Sequence, residues 1–282
     1  MSGPIMVVED LCKDFAVRGQ GRFLARSSTF RAVDGVSFAV PRGGTVAVVG
    51  ESGSGKSTTA RMLARLLEPT AGRIELDGED VTHARGARLQ NFRRHVQVVF
   101  QDPFSSLNPR HSVERIISAP LRYQGIEPPE GIGARVAELL ERVGLAPEHA
   151  RRFPHQFSGG QAQRIGIARA LVLQPQVIVC DEAVSALDVS VQARVLELLQ
   201  ELQADLGLSY VFIAHDLAVV RQIADEVVVM QGGQVREAGP CESLFAAPQM
   251  AYTQELLAAV PRIPVDWERR RRENLRSLKR VR

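Results

Sequence analysis

This chain has little with which to crosslink itself and nothing with which to span a bilayer. Three cysteines among 282 residues, Cys12, Cys180 and Cys241, are too few and too scattered for a disulfide framework, a four-cysteine zinc site or an iron–sulfur cluster. They read as reduced thiols. No run approaches the roughly 18 consecutive apolar residues of a membrane helix; the uncharged stretch 170–180 is short and interrupted by Gln and Pro. The opening MSGPIMVVED has no basic segment leading into an apolar stretch and a cleavage site, so the expected location is cytoplasmic. Internal repeats are missing, and the one biased patch is Arg269–Arg272. A uniform charge excess is missing too. Residues 262–282 hold nine Lys/Arg against three Asp/Glu, so with a net charge of +3 the other 261 residues sum to −3. That pattern excludes a body that coats nucleic acid and describes a globular domain with a basic tail. At 45% hydrophobic and 24% charged residues, wholesale disorder is excluded as well.

What is present is an alternation of strand and helix patterns. Short β-rich runs at 5–8 and 32–40 precede Thr45-Val-Ala-Val-Val49, a β-branched run suited to a buried strand. The next segment predicts a helix with Met62, Leu63, Leu66 and Leu67 on one side, closed by Pro69-Thr-Ala-Gly72. A hairpin is expected over 73–80 and a strand over 96–100. The stretch from about 102 to Phe157 reads as helices, with Val136, Leu139, Leu140 and Val143 in register. Alternation resumes after Ser158: helix 163–173, strand 177–180, helix 191–206, strand 209–214, helix 217–224, strand 227–230. Such alternation predicts an α/β fold with a largely parallel sheet, interrupted by a helical insertion.

Gly50-Glu-Ser-Gly-Ser-Gly-Lys56-Ser57 matches G-x-x-x-x-G-K-[ST] between a strand and a helix, the context this phosphate-binding loop requires. Its backbone N–H groups suit phosphate oxygens, Lys56 the β/γ-phosphates and the Ser57 hydroxyl a magnesium ion. The apolar strand Val177-Ile-Val-Cys180 ends in Asp181 and Glu182. In a protein with a phosphate loop, such a strand end sets Asp181 beside the metal and leaves Glu182 to orient and polarise an attacking water. Ser158-Gly159-Gly160-Gln161 predicts a second helix start that meets an anion, with Ser158 as the N-cap.

The segment Phe157-Ser-Gly-Gly-Gln161 resembles the signature motif of the ATP-binding cassette (ABC) ATPases, differing from the usual Leu-Ser-Gly-Gly-Gln at Phe157. The likeness extends over nearly the whole chain: Gln101 resembles the Q-loop glutamine, Ser185-Ala-Leu-Asp188 the D-loop, and His215, after a strand, the switch histidine. It implies a P-loop ABC ATPase of α/β class, with a mostly parallel core sheet, an N-terminal antiparallel β subdomain and a helical subdomain inserted at about 102–163. The nucleotide-binding domain would span 1–245 and a C-terminal extension 246–282. In that family two cassettes pair head to tail and sandwich ATP. The resemblance therefore assigns ATP contact to Phe15 (against adenine), to Gly50, Glu51, Ser52, Gly53, Ser54, Gly55, Lys56, Ser57 and Thr58, and to Phe157, Ser158, Gly159, Gly160, Gln161 and Asp188. Glu182, His215 and Gln101 would be catalytic, and Ser57, Gln101 and Asp181 would hold Mg²⁺.

Gln101-Asp-Pro-Phe-Ser-Ser-Leu-Asn-Pro109, Asp188-Val-Ser-Val-Gln-Ala193 and the segment 248–261 resemble the ATPase subunits of bacterial oligopeptide/dipeptide importers. Relatives in that group handle nickel or glutathione, and cassettes without a transport role share the fold; these readings stay open here. The implied partners are a second cassette (a heterodimer, with a homodimer still possible), two transmembrane permeases and, indirectly, an extracytoplasmic substrate-binding protein, with no nucleic acid. The implied location is the cytoplasmic face of the membrane. Ala183 stands where most of the group carry Pro, but both carboxylates remain, so hydrolysis is expected. Some members hold a C-terminal iron–sulfur cluster; with Cys241 alone in that region, none is expected. The tail is left open: Arg269–Arg272 is a solvated face or a contact, and Trp267 either anchors it or lies exposed.

Overall fold

A computed structural model describes residues 3–17 and 28–259; Trp267 and Arg269–Arg272 lie outside them. In chain order the elements are β1 Met6–Val17, β2 Ser28–Val40, β3 Thr45–Val49, α1 Lys56–Leu63, β4 Ala71–Leu76, β5 Glu79–Asp80, α2 Gly86–His95, β6 Val96–Val99, α3 Pro103–Ser106 and α4 Val113–Gln124. There follow α5 Ile132–Arg142, α6 Gly159–Leu171, β7 Val177–Asp181, α7 Val189–Leu206, β8 Ser209–Ile213, α8 Leu217–Ile223, β9 Glu226–Gln231, β10 Gln234–Pro240, α9 Cys241–Ala246 and α10 Ala251–Ala258.

The strands form two sheets. One is antiparallel in the order β2-β1-β4-β5; the other runs β10-β9-β3-β8-β7-β6, parallel from β9 to β6 with β10 antiparallel at its edge. Every residue of β3, β7 and β8 is buried, as expected of parallel strands covered on both faces. The period of two then divides the core. Val46, Val48, Val211 and Ile213 point toward α1 and the antiparallel sheet. Ala47, Val49, Tyr210 and Phe212 point toward α6, α7 and the helical insertion. The sheet thus carries the phosphate loop and the acidic strand end on one rigid plate. Among the described residues no helix is long and apolar enough to cross a membrane.

The architecture matches the expected α/β class, antiparallel N-terminal sheet and helical insertion, and the three cysteines are unpaired. Several boundaries differ. The helix after the phosphate loop stops at Leu63, the chain turning through Arg65 at φ 51°, so Leu66 leaves the apolar stripe and is 53% exposed. β1 extends far beyond residue 8, because register shifts after Val8 break the alternation by which strands are recognised. α2 and β10 had no sequence expectation: α2 buries only Phe92, and β10 is an edge strand with no fully buried residue. The hairpin does form, its Asp77-Gly78 turn having φ values of 52° and 78°.

Candidate functional site

The phosphate loop is held closed from inside. Ser54 N–H donates to the Glu51 carbonyl at 3.2 Å, and Gly233 N–H, from the turn between β9 and β10, donates to the Ser54 carbonyl at 3.0 Å. Gly50 adopts φ 145°, and a Cβ there would collide with the Met230 carbonyl, so the turn from β3 into the loop admits glycine only. Lys56 is 5% exposed; its Nζ donates to the carbonyls of Gly50 and Glu51, both at 2.7 Å. Burial lowers its pKa, an effect opposed by the carboxylates of Glu182, Asp181 and Glu51. Ser52 and Gly53 lie exposed on the loop, while Gly55 and Thr58 are half-buried at the start of α1.

At the first turn of α1 the Ser57 hydroxyl donates to Asp181 Oδ1 at 3.0 Å, joining positions 124 residues apart. Glu182 follows at φ 52°, a conformation that costs a residue with a side chain on the order of 1–3 kcal/mol and persists only where its surroundings enforce it. They do. Its N–H donates to the Ile213 carbonyl at 3.1 Å, while the N–H and hydroxyl of Ser185 both donate to its own carbonyl, at 3.1 and 2.9 Å. The carboxylate is thereby turned out of the β7 line to face His215, whose Nδ1 lies 3.8 Å from Glu182 Oε2. A small cavity of about 160 Å³ is lined by Glu182, Ser185, Gln192, His215 and Asp216. Next to Asp181, Cys180 is fully buried, and burial pushes its thiol up to about 12.

The second helix start is organised differently. α6 begins at Gly159, not near residue 163, because Ser158 and Gln161 form a capping box: Ser158 Oγ accepts from Gln161 N–H at 3.3 Å and Gln161 Oε1 accepts from Ser158 N–H at 3.0 Å. Besides the anion contact expected from its sequence, Gly160 has a packing role. A Cβ there would run into Val191 on α7, so the glycine brings the two helices together. Phe157, expected among the nucleotide contacts, is 8% exposed and sits edge-on to His149, so its ring serves the core. Asp188 caps α7 by accepting from Val191 N–H at 3.0 Å. The Ser190 hydroxyl and that amide hold its carboxyl below the ordinary range.

The structure therefore gathers Gly50 to Thr58, Asp181, Glu182 and His215 at the carboxyl ends of the interior strands β3, β7 and β8. Among the described residues no hydrogen bond links Ser158, Gly159, Gly160 or Gln161 to that group. Gln101 is exposed and has no hydrogen bond to Ser57, Asp181 or Glu182. Phe15 lies on β1 opposite Phe30, 38% exposed, with Lys13 Nζ 5.4 Å from its ring centre. Sequence reasoning passed over Tyr252 of α10, whose hydroxyl accepts from Glu51 N–H at 3.1 Å. No local signal marks it; the partners are 201 residues apart.

A family model described as ABC transporter matches residues 33–185. The glutathione import ATP-binding protein GsiA of Escherichia coli (strain K12) is 50% identical over 258 residues, which are 92% of this chain and 41% of that protein. GsiA of Salmonella typhi gives the same identity and coverage. The chain thus spans about two fifths of the length of the curated relatives it matches. Among solved structures, cbiO1 of Clostridium perfringens, described as part of the ABC transporter complex cbiONQ, superposes with a TM-score of 0.72 at 30% identity, covering 86% of this chain and 91% of that one. The cassette MJ0796, in a dimeric post-hydrolysis state bound to ADP and Pi, gives 0.71 at 27% identity, covering 84% and 98%.

Proposed function

Since the chain belongs to the ABC transporter family, we propose that it is an ATP-hydrolysing cassette that energises import of oligopeptides or dipeptides. The observation that carries the hydrolytic reading is the convergence of Ser57 with Asp181 at 3.0 Å and of Glu182 with His215 at 3.8 Å at the carboxyl ends of the parallel strands. Lys56 would bind the transferred phosphate; moving from the carbonyls of Gly50 and Glu51 to a more highly charged partner strengthens its contacts. Glu182, held outward by its enforced backbone, would orient a water and accept its proton as the oxygen attacks the γ-phosphate. His215 would hold the opposite side of that water and phosphate. Ser57 Oγ and Asp181 present a hydroxyl and a carboxylate side by side, the hard-oxygen set a magnesium ion accepts when phosphates and water complete its shell. Bound there, it would supply neutralisation of charge on the phosphates; the exposed Gln101 would join it on closure.

The transport reading draws on the 50% identity to a glutathione import ATP-binding protein. Glutathione is itself a small peptide, so a glutathione importer is the second reading that this finding favours. Ser158 and Gln161 lie exposed and apart from the phosphate loop, which supports a composite site that a second cassette, identical or not, completes. Two permeases and an extracytoplasmic binding protein would choose the substrate, and the chain would sit peripherally at the cytoplasmic face of the membrane.

Reconstitution tests the whole reading. Glu182→Gln should keep ATP affinity while turnover falls by about 10²- to 10³-fold, the scale of losing a general base. The variant should accumulate ATP-bound dimers on a sizing column. Hydrolysis unchanged by that substitution would remove Glu182 from its role. Co-purification from the native membrane without permeases would sink the import reading and leave the hydrolytic one standing.

A further inference from the structure

We propose that Tyr252 is a positioning residue for the phosphate loop, fixing from α10 the peptide on which Lys56 is seated. The inference rests on the reading of that loop as an ATP site. The Gly50–Glu51 peptide is trans, so its carbonyl and N–H point in opposite directions. Both ends are occupied: Lys56 Nζ donates to the Gly50 carbonyl at 2.7 Å, and Glu51 N–H donates to the Tyr252 hydroxyl at 3.1 Å. One peptide is therefore clamped between the cation that would meet the phosphate and a side chain from the far end of the described chain. The clamp matters at this peptide because Glu51 is exposed and has no side-chain hydrogen bond of its own among the described residues. Left alone, the peptide following Gly50 could rotate and carry the Lys56 seat with it, and in a phosphate loop the direction of each peptide dipole is the binding property.

The arm that holds Tyr252 is stiff. Glu237 on β10 accepts from the N–H groups of Gln249 at 2.8 Å and Met250 at 3.1 Å, at the start of α10. Gln254 Nε2 donates to the Pro248 carbonyl at 3.0 Å, and Tyr252, Leu256 and Leu257 pack against the larger core. Glu237, α10 and Tyr252 so form a continuous strap from the sheet edge to the loop. ATP affinity becomes a property of the C-terminal helix as well as of the motif.

The test compares ATP binding and steady-state hydrolysis in the full chain, its Tyr252→Phe and Tyr252→Ala variants, and Lys56→Ala as the non-binding control. Tyr252→Phe keeps the packed ring and removes only the acceptor. It should raise the Kd and KM for ATP about three- to tenfold, the scale of one lost hydrogen bond, with kcat within about twofold and the melting temperature unchanged. Glu237→Ala, which frees the strap at its other end, should weaken ATP by a similar factor, and the double variant should be no weaker than the worse single one. If Tyr252→Phe binds ATP like the unaltered chain and Tyr252→Ala alone is impaired, Tyr252 is a packing residue and the inference is overturned. If the unaltered chain itself binds no ATP, the ATP reading falls and takes the inference with it.

Discussion

Around the phosphate loop several functional groups are tied to partners far away in the chain, whereas around Ser158 the polar side chains are held by their immediate neighbours. Ser57 meets Asp181 across 124 residues and Glu51 meets Tyr252 across 201, and Lys56 is buried beneath the loop it serves. Among the described residues the side chains of Ser158 and Gln161 each bond the other's backbone N–H, three residues apart, and the Asp188 carboxylate accepts from Ser190 and Val191. The first region is a site finished by the fold of one chain. The second is a shaped surface whose polar side chains are satisfied locally, so it keeps its form while exposed, as the proposed pairing with a second cassette requires. A composite active site needs both: one half that cannot move once folded, and one that is ordered before its partner arrives.

Three substitutions or conditions separate the halves. The largest effect is expected from Ser158→Arg, which places a long cation on the outward surface. ATP turnover of the assembled transporter should fall by about 100-fold or more through failed closure, while ATP affinity of the isolated chain stays within about twofold, since nothing of the phosphate loop is touched. A large loss of affinity in the isolated chain would erase the distinction between the regions. Next comes Gly160→Val, which forces α6 away from Val191. A stability loss of about 1–3 kcal/mol in denaturant unfolding is expected, typical of overpacking. A neutral result would show that the glycine serves the outward surface alone.

The smallest effect is a pH effect confined to the phosphate-loop half. Burial tends to raise the Glu237 carboxyl, but the Gln249 amide, the Thr253 hydroxyl and the Met250 amide together outweigh it and hold it below its ordinary 4.5. A folded-state value below the unfolded one means the anchoring is fully present above 4.5 and fades as the pH falls through the lower, folded value. Hydrogen exchange at the N-terminal amides of α10 should therefore quicken, relative to the intrinsic rate, as the pH falls below 4.5 and through that folded value, with the start of α6 unaffected. Equal loosening at both helix starts would show that acid acts globally.

How much was legible follows the same divide. The residue types of Gly50 to Ser57, Asp181, Glu182 and His215 were readable because each lies in a short run at the end of an apolar strand. The helical insertion was readable from Val136, Leu139 and Leu140, all buried on one side of α5. α2 was not, since a helix that buries Phe92 alone has almost no periodic signal. The early end of α1 was hidden because Leu66 is apolar and correctly spaced, yet the chain turns at Arg65 before reaching it. Phe157 was read through its motif, although its burial beside His149 depends on a contact the motif does not contain.

By itself the sequence determined the parts: a glycine-lined loop before a helix, two carboxylates after a buried strand, a capping serine three residues from its glutamine, and strands whose period of two fixes which face each residue covers. Those features are local, set by backbone sterics and by spacings of a few residues, so they survive being read one segment at a time. The tertiary structure alone decided what the parts do to one another. It set Glu182 at a positive φ through the Ile213 carbonyl and the Ser185 donors, joined Ser57 to Asp181, and brought Tyr252 to the loop. The contacts to Ile213, Asp181 and Tyr252 each depend on closing a long stretch of chain, which only the packed sheet and its covering helices stabilise.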